Sequence, residues 1–202
     1  MKRTANKLPT ESAEPGRREQ ILSAALGLFL RFGYKKTSMD DVARSLELSR
    51  QALYLYFNTK EELFRASLHQ AFEVALHDAR RCLVESKGTL SDRLVAAYGE
   101  WFGRYIGLQA DVQELSEASR RVGPDLTEHA EQAFLQLMVH TFKRERLPDL
   151  LKRSGVRPLD VAMTLDSIAR GLKHQVKSRE EFSQRLRREF AVVLAPYAAT
   201  EK

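Results

Sequence analysis

The sequence predicts an all-α protein: a small N-terminal three-helix unit containing a helix-turn-helix, followed by a larger helical body. Three observations carry this. Apolar residues recur at spacings of three and four along most of the chain, the period of a helix with one buried face. Serine or threonine followed three residues later by an acid heads one stripe after another, at Ser38/Asp41, Thr59/Glu62, Thr89/Asp92 and Ser178/Glu181. That spacing is the reciprocal N-terminal cap known as a capping box. Gly and Pro mostly fall between the stripes, at Gly33, Lys87-Gly88, Gly123-Pro124, Leu147-Pro148 and from Gly155 to Pro158, where chain breaks belong.

Residues 1–15 hold Pro9 and Pro15 among small and charged side chains, with no apolar period. They read as a flexible basic tail whose Lys2, Arg3 and Lys7 are either solvated or near a polyanion. A first helix is expected over Arg17 to Phe32, with Ile21, Leu22, Ala25, Leu28, Phe29 and Phe32 inward and Gly33 ending it. Ser38 then caps a short helix bearing Val42, Ala43 and Leu46, with Asp40 and Asp41 in its first turn. Ser49 caps another, Arg50 to about Phe57, whose Leu53 and Phe57 face inward together.

Helix, tight turn, helix is the arrangement that places its second helix in the DNA major groove. The outward side of that helix has suitable chemistry. Arg50 pairs bidentately with guanine and Gln51 with adenine, while Tyr54 and Tyr56 offer contacts to phosphate or thymine methyl groups. Lys60 stands at the N-terminus of the next helix, where phosphate is already attracted. On this reading Thr37, Ser38, Tyr56 and Lys60 hold the DNA backbone, and Arg50, Gln51 and Tyr54 choose bases. The helix-turn-helix unit spans residues 16–62.

The body, residues 63–202, begins inside a long helix from Lys60 to about Ser86 that both units share. The next, from Thr89 to about Gly107, carries Gly99, Gly103 and Gly107 on one face. Interior glycine weakens a helix by about 1 kcal/mol, so this face serves either close helix packing or a ligand. The neighbouring Tyr98, Trp101, Phe102 and Tyr105, with Phe134 and Met138 from a helix over Leu126 to Arg146, suit either a bundle core or a small-molecule site. That later helix is expected to be capped by Asp125 with Glu128. A helix from Asp111 to Arg121 precedes it. Two amphipathic helices close the chain, from Pro158 to His174 and from Ser178 to about Pro196.

Charge separates the two units. The chain has 202 residues and a net charge of +6. Residues 1–60 hold eleven lysines and arginines against six acids, so nearly all of the excess lies there. A basic module on a near-neutral body marks a polyanion partner. Cys82 is the one cysteine, which excludes an intrachain disulfide framework and suits a reducing cytoplasm. No apolar run approaches the length of a membrane span. No phosphate-cradling glycine loop, zinc-protease motif or nucleophile constellation is present, and the histidines lack ligand spacing. An enzyme, a metal centre and a bound cofactor are therefore not expected.

From Arg17 to Phe64 the chain resembles the DNA-binding domain of the tetracycline-repressor (TetR) family of bacterial transcriptional regulators. The matching residues are Ile21-Leu22, Ala24-Ala25, Leu28-Phe29, Gly33-Tyr34, Thr37-Ser38, Val42-Ala43, Leu46, Ser49, Leu53-Tyr54, Phe57 and Lys60-Glu61. Two positions depart from the family pattern: Glu47 occupies the turn where glycine is usual, implying either a non-glycine residue at positive φ or a turn built differently, and Gln51 replaces a frequent glycine. The resemblance implies a homodimer on a near-palindromic operator, formed through the last two helices, here Met163, Ala169, Leu172, Phe182, Leu186, Phe190 and Val193. Those stripes would otherwise bury within one subunit. It also implies a small-molecule effector in the body and repression relieved by it. A ligand-independent regulator, an activator, or an interaction module with non-specific DNA affinity are the alternatives.

Overall fold

The computed structural model describes residues 16–107, 112–147, 151 and 155–198, and all regular structure among them is helical. The expected tail of residues 1–15, the expected helix start at Asp111, Pro148 and residues 152–154 lie outside this range. Nine α-helices are described: α1 Arg17–Phe32, α2 Met39–Ser45, α3 Arg50–Tyr54, α4 Lys60–Glu85 and α5 Leu90–Trp101, then α6 Val112–Val122, α7 Pro124–Arg144, α8 Pro158–Leu172 and α9 Arg179–Ala198.

The apolar residues segregate into two clusters. One joins α1, α2, α3 and the start of α4, with Ile21, Ala25, Phe29, Val42, Leu53, Phe57, Leu63 and Phe64 at its centre. The other fills the body, from Ala79 and Leu83 of α4 through Tyr98, Phe134, Met138 and Leu165 to Phe182, Leu186 and Phe190. Each wholly buried Leu or Phe contributes about 1.5–3 kcal/mol. α4 supplies both clusters, and its Phe72 packs against each. α6 belongs partly to the smaller one: Ala118 is buried in it, with Leu115 and Val122 alongside.

Local chemistry explains most helix ends. Gly33, at φ 87°, closes α1 by donating its N–H to Phe29 at 2.9 Å, a backbone conformation in which a side chain is strained. Ser38/Asp41 and Thr89/Asp92 form full capping boxes. The other two expected boxes are shifted. Thr59 and Ser178 accept the N–H of Glu62 and Glu181, but the glutamates reach back to Asn58 N and Lys177 N, one residue further than expected. Glutamate is one methylene longer than aspartate, which fits the longer reach. The Leu83 carbonyl near the end of α4 accepts from Arg93 and Arg144, each at 2.9 Å.

Several boundaries differ from expectation. α5 stops at Trp101 and a 3₁₀ turn, Gly103–Tyr105, replaces its last stretch. Helix α7 starts at Pro124 after Gly123, so Asp125 lies inside its first turn instead of at the cap, and it pairs with Arg65 of α4. Proline at the first helical position lacks an N–H that would go unbonded anyway. α7 ends at Arg144, and Arg146 adopts φ 58°. α9 continues through Pro196 to Ala198. In α1, Phe32 is 47% exposed and Leu30 takes the buried position.

Gly99 of α5 and Gly103 of the 3₁₀ turn lie against α9. A methyl at Gly103 would lie 3.3 Å from the Phe182 ring, and one at Gly99 would meet Arg179 and Ser183. Gly107, at φ 83°, lies so close to the Lys177 carbonyl that a methyl would sit 2.9 Å from it. Close approach is thus what Gly103 and Gly107 provide, while a methyl at Gly99 would make only ordinary contacts.

Candidate nucleic-acid interface

The Ser38 cap fixes the start of α2: its Oγ accepts Asp41 N at 3.2 Å, while Asp41 Oδ2 accepts Ser38 N at 2.9 Å. The turn after α2 is held by Leu48 N donating to the Ala43 carbonyl at 2.9 Å. Glu47 sits there at φ 55°, so the positive φ is the alternative this turn adopts. Ser49 then accepts Ala52 N at 3.1 Å and opens α3. Leu53 and Phe57 are buried beneath it, and the Arg18 guanidinium covers the Phe57 ring at 5.1 Å.

α3 is shorter than the expected Arg50–Phe57: it ends at Tyr54, and Tyr56 N and Phe57 N both fall back onto the Leu53 carbonyl in a turn. That turn still buries Phe57 beside Leu53. Arg50, Gln51 and Tyr54 face outward together. Leu55, 79% exposed, stands beside them and was not anticipated. Arg50 Nη1 lies 3.1 Å from Asp40 Oδ2 of α2, and its guanidinium lies over the Tyr54 ring at 5.5 Å. No sequence period links residues ten apart on different helices, so the contact of Asp40 with Arg50 is not legible in the sequence.

The expected backbone-holding residues divide. Thr37 is buried, and its hydroxyl donates to the Gly33 carbonyl at 2.8 Å. It is turned inward to satisfy the end of α1 and presents no hydroxyl to a phosphate. Ser38 is exposed, with its hydroxyl engaged by Asp41. Tyr56 is half-buried. Lys60 Nζ donates to the Tyr34 carbonyl at 3.1 Å and lies 4.4 Å from the centre of that ring. Burial, helped by Glu61, pushes the Tyr34 hydroxyl up to about 12.

Deeper in the body, Tyr98, Trp101, Phe134 and Met138 are brought together and buried, with Phe102 and Tyr105 half-buried. Trp101 stacks on Phe134 at 4.7 Å, and Tyr98 meets Phe134 and Phe190 edge-on at 5.0 and 5.1 Å. Such geometries favour aromatic pairs beyond their area alone. Burial pushes the Tyr98 hydroxyl well above its ordinary value. Tyr98 Oη and Trp101 Nε1 have no hydrogen-bond partner among the described residues. At one edge of this region, Phe102 lies under Arg170 and Lys173 at 5.5 and 4.8 Å. Two surface clefts lie elsewhere. One, of about 390 Å³, is bounded by Glu61, Arg65 and Arg121; the other, of about 480 Å³, by Leu135, Val139, His140 and Leu159.

The residues assigned to a dimer interface are mostly internal. Ala169, Leu172, Phe182, Leu186 and Phe190 lie in the subunit's own core, Val193 is half-buried, and Met163 alone is well exposed, at 52%. The apolar stripes of α8 and α9 are consumed by packing on α5 and α7, so only their outer sides, with Leu159, Met163 and Val192, face away. No three His, Cys, Asp or Glu side chains converge as metal ligands among the described residues. None of their helices is long and apolar enough to cross a membrane.

Fold and surface together define a helix-turn-helix protein with a helical body. Residues 21–67 match the family model described as bacterial regulatory proteins, tetR family. The helix-turn-helix and the start of α4 are thus similar to the DNA-binding domain of TetR-family transcriptional regulators. Over 55 residues the chain is 33% identical to the biofilm operon icaADBC negative transcriptional regulator IcaR of Staphylococcus epidermidis, covering 27% of this chain and 30% of that protein. The chain thus spans about a third or less of the length of the curated relatives it matches. Solved structures extend the similarity of fold to nearly the whole chain. Reduced NemR of Escherichia coli has a TM-score of 0.66 at 19% identity, covering 87% of this chain and 96% of that one. A regulator from Saccharomonospora viridis, solved in complex with choline, has a TM-score of 0.62 at 18% identity, covering 88% and 96%.

Proposed function

We propose that this protein is a sequence-specific DNA-binding transcriptional regulator, a homodimer that represses from a near-palindromic operator and is released by a small-molecule effector. The observation that carries the DNA reading is α3 itself. Its Leu53 is anchored in the core, and Arg50, Gln51 and Tyr54 project from the opposite side. Arg50 and Gln51 supply base-reading chemistry, and Lys60, at the start of α4, supplies charge toward the backbone. Residues 16–62 act as the reading unit and 63–202 as the body that controls it.

The effector reading draws on the two orphaned donors of α5. Buried polar groups are almost always paired, so Tyr98 Oη and Trp101 Nε1 suit a ligand with hydrogen-bond acceptors and an apolar frame. The S. viridis regulator of similar fold, solved in complex with choline, supports a small-molecule ligand for such a protein. Coupling to the reading unit runs through α6, whose Glu114 accepts Lys35 N at 2.9 Å. An effector shifts the equilibrium by its difference in affinity between the two states. Pairing of two copies uses the outer side of α8 and α9, with Met163 and Val192, in place of their buried stripes.

Selection of bound sequences from a random duplex DNA library at near-physiological salt tests the reading. Recovery of a two-fold symmetric motif is expected. Binding without any motif, vanishing as salt rises, would reduce the basic end to non-specific attraction.

A further inference from the structure

Arg50 is held in place by a residue of the other helix. Asp40 is the second residue of α2 and Arg50 the first of α3, and their side chains meet at 3.1 Å across the helix-turn-helix. On its other side Arg50 Nη2 donates to Tyr54 Oη at 3.5 Å, and the guanidinium rests on the Tyr54 ring. Asp40, Arg50 and Tyr54 thus form one chain of contacts on the outward surface. Asp41, the next acid, is committed to the Ser38 cap, so Asp40 is the acid of that first turn that Arg50 engages.

We infer that Asp40 is a positioning residue for base recognition: it fixes Arg50 for a guanine and lowers attraction to phosphates. The inference rests on the reading of α3 as the groove helix. A guanidinium has five N–H groups; one to Asp40 and one to Tyr54 leave three, enough for the bidentate pair with guanine O6 and N7. A free arginine samples many rotamers and pairs equally well with any phosphate oxygen. One clamped between a carboxylate and an aromatic ring is pre-organised, so less freedom is lost when it meets a base. The carboxylate also repels phosphate oxygens nearby. Together these favour the correct base over the DNA backbone, which is sequence-blind.

A role for Asp40 confined to the α2 dipole would change stability without touching any one base position. The test compares parent, Asp40→Asn, Arg50→Ala and the double variant by selection from the random duplex library, with melting temperature and salt dependence measured alongside. Asp40→Asn is expected to lose preference at one base position per half-site by about fivefold or more, while its affinity for non-specific duplex holds or rises. Arg50→Ala should lose the same position, and the double variant should lose no more than Arg50→Ala alone. Parent and Asp40→Asn motifs that superimpose would overturn the inference, as would losses at different positions or losses that add. A parent that recovers no motif would instead sink the groove-helix reading itself.

Discussion

Glu114 of α6 accepts the backbone N–H of Lys35 at 2.9 Å, two residues before Thr37 and the start of the helix-turn-helix. The contact brings a helix of the body against the turn that leads into α2. Around it, Arg121 of α6 lies 5.6 Å from the Tyr34 ring, and Arg65 of α4 donates to the Val122 carbonyl at 3.3 Å and to Asp125. Tyr34 also accepts Lys60 through its carbonyl. These contacts tie α6 to the helix-turn-helix unit through Lys35 and Tyr34.

The Arg65 pair makes this seam sensitive to acid. Hydrogen bonding from Arg65 holds the Asp125 carboxyl down at about 2, against about 3.9 when free. The folded state binds that proton less readily than the unfolded chain. The pair's contribution is full above about pH 4 and is lost as the pH falls toward about 2. Asp125→Asn should lower the urea midpoint at neutral pH, and its gap from the parent should narrow on acidification. A gap that stayed constant would remove the ion pair as the cause.

Glu47 pays a backbone penalty at φ 55°. Left-handed backbone costs a side-chain-bearing residue about 1–2 kcal/mol, and glycine returns about 0.4–1 through the unfolded chain. Glu47→Gly should give a net gain of about 0.5 kcal/mol, read as a higher urea midpoint with unchanged slope. A lower midpoint would mean that the Glu47 side chain contributes contacts of its own.

Two glycines should respond to alanine with opposite signs. Gly27 lies inside α1 with nothing within 4 Å of an added methyl, so Gly27→Ala should stabilise by about 0.5–1 kcal/mol. At Gly107 the methyl would lie 2.9 Å from the Lys177 carbonyl at φ 83°, and the substitution should cost about 1–3 kcal/mol. Thermal melts of the two variants against the parent decide it; shifts in the same direction would contradict the close approach of Gly107 to Lys177.

Lys60→Ala should weaken binding to every duplex alike and flatten the salt slope by about one unit. Titrations against two unrelated duplexes at several salt concentrations check this. A loss confined to one duplex would make Lys60 a base reader. An unchanged slope with a lowered melting temperature would assign it only to the Tyr34 contact.

The helices and caps that depend on neighbours in sequence were legible. α1 begins and ends at the expected residues, the Ser38 and Thr89 boxes form, and Glu47 takes the positive φ that the missing glycine left as one of two alternatives. What failed depended on partners distant in sequence. Phe32 fits the stripe of α1 as well as Leu30 does, and only tertiary packing selects between them. An apolar stripe also looks the same whether it covers a neighbouring helix or another subunit, which is why Phe182, Leu186 and Phe190 were assigned outward. Thr37 turned inward because the end of α1 needed a donor, and Asp40 met Arg50 only once the turn was folded.

α4 has 26 residues, so it is roughly 39 Å long at 1.5 Å per residue. Its first turn touches the reading unit and its last half is embedded in the body. If it pivots as a stiff rod near its C-terminal end, a tilt of about 5° carries Lys60 through roughly 3.4 Å, the length of one base-pair step. On the proposed function, leverage of that kind would turn a small shift around Leu83 into a full-step misalignment at the groove.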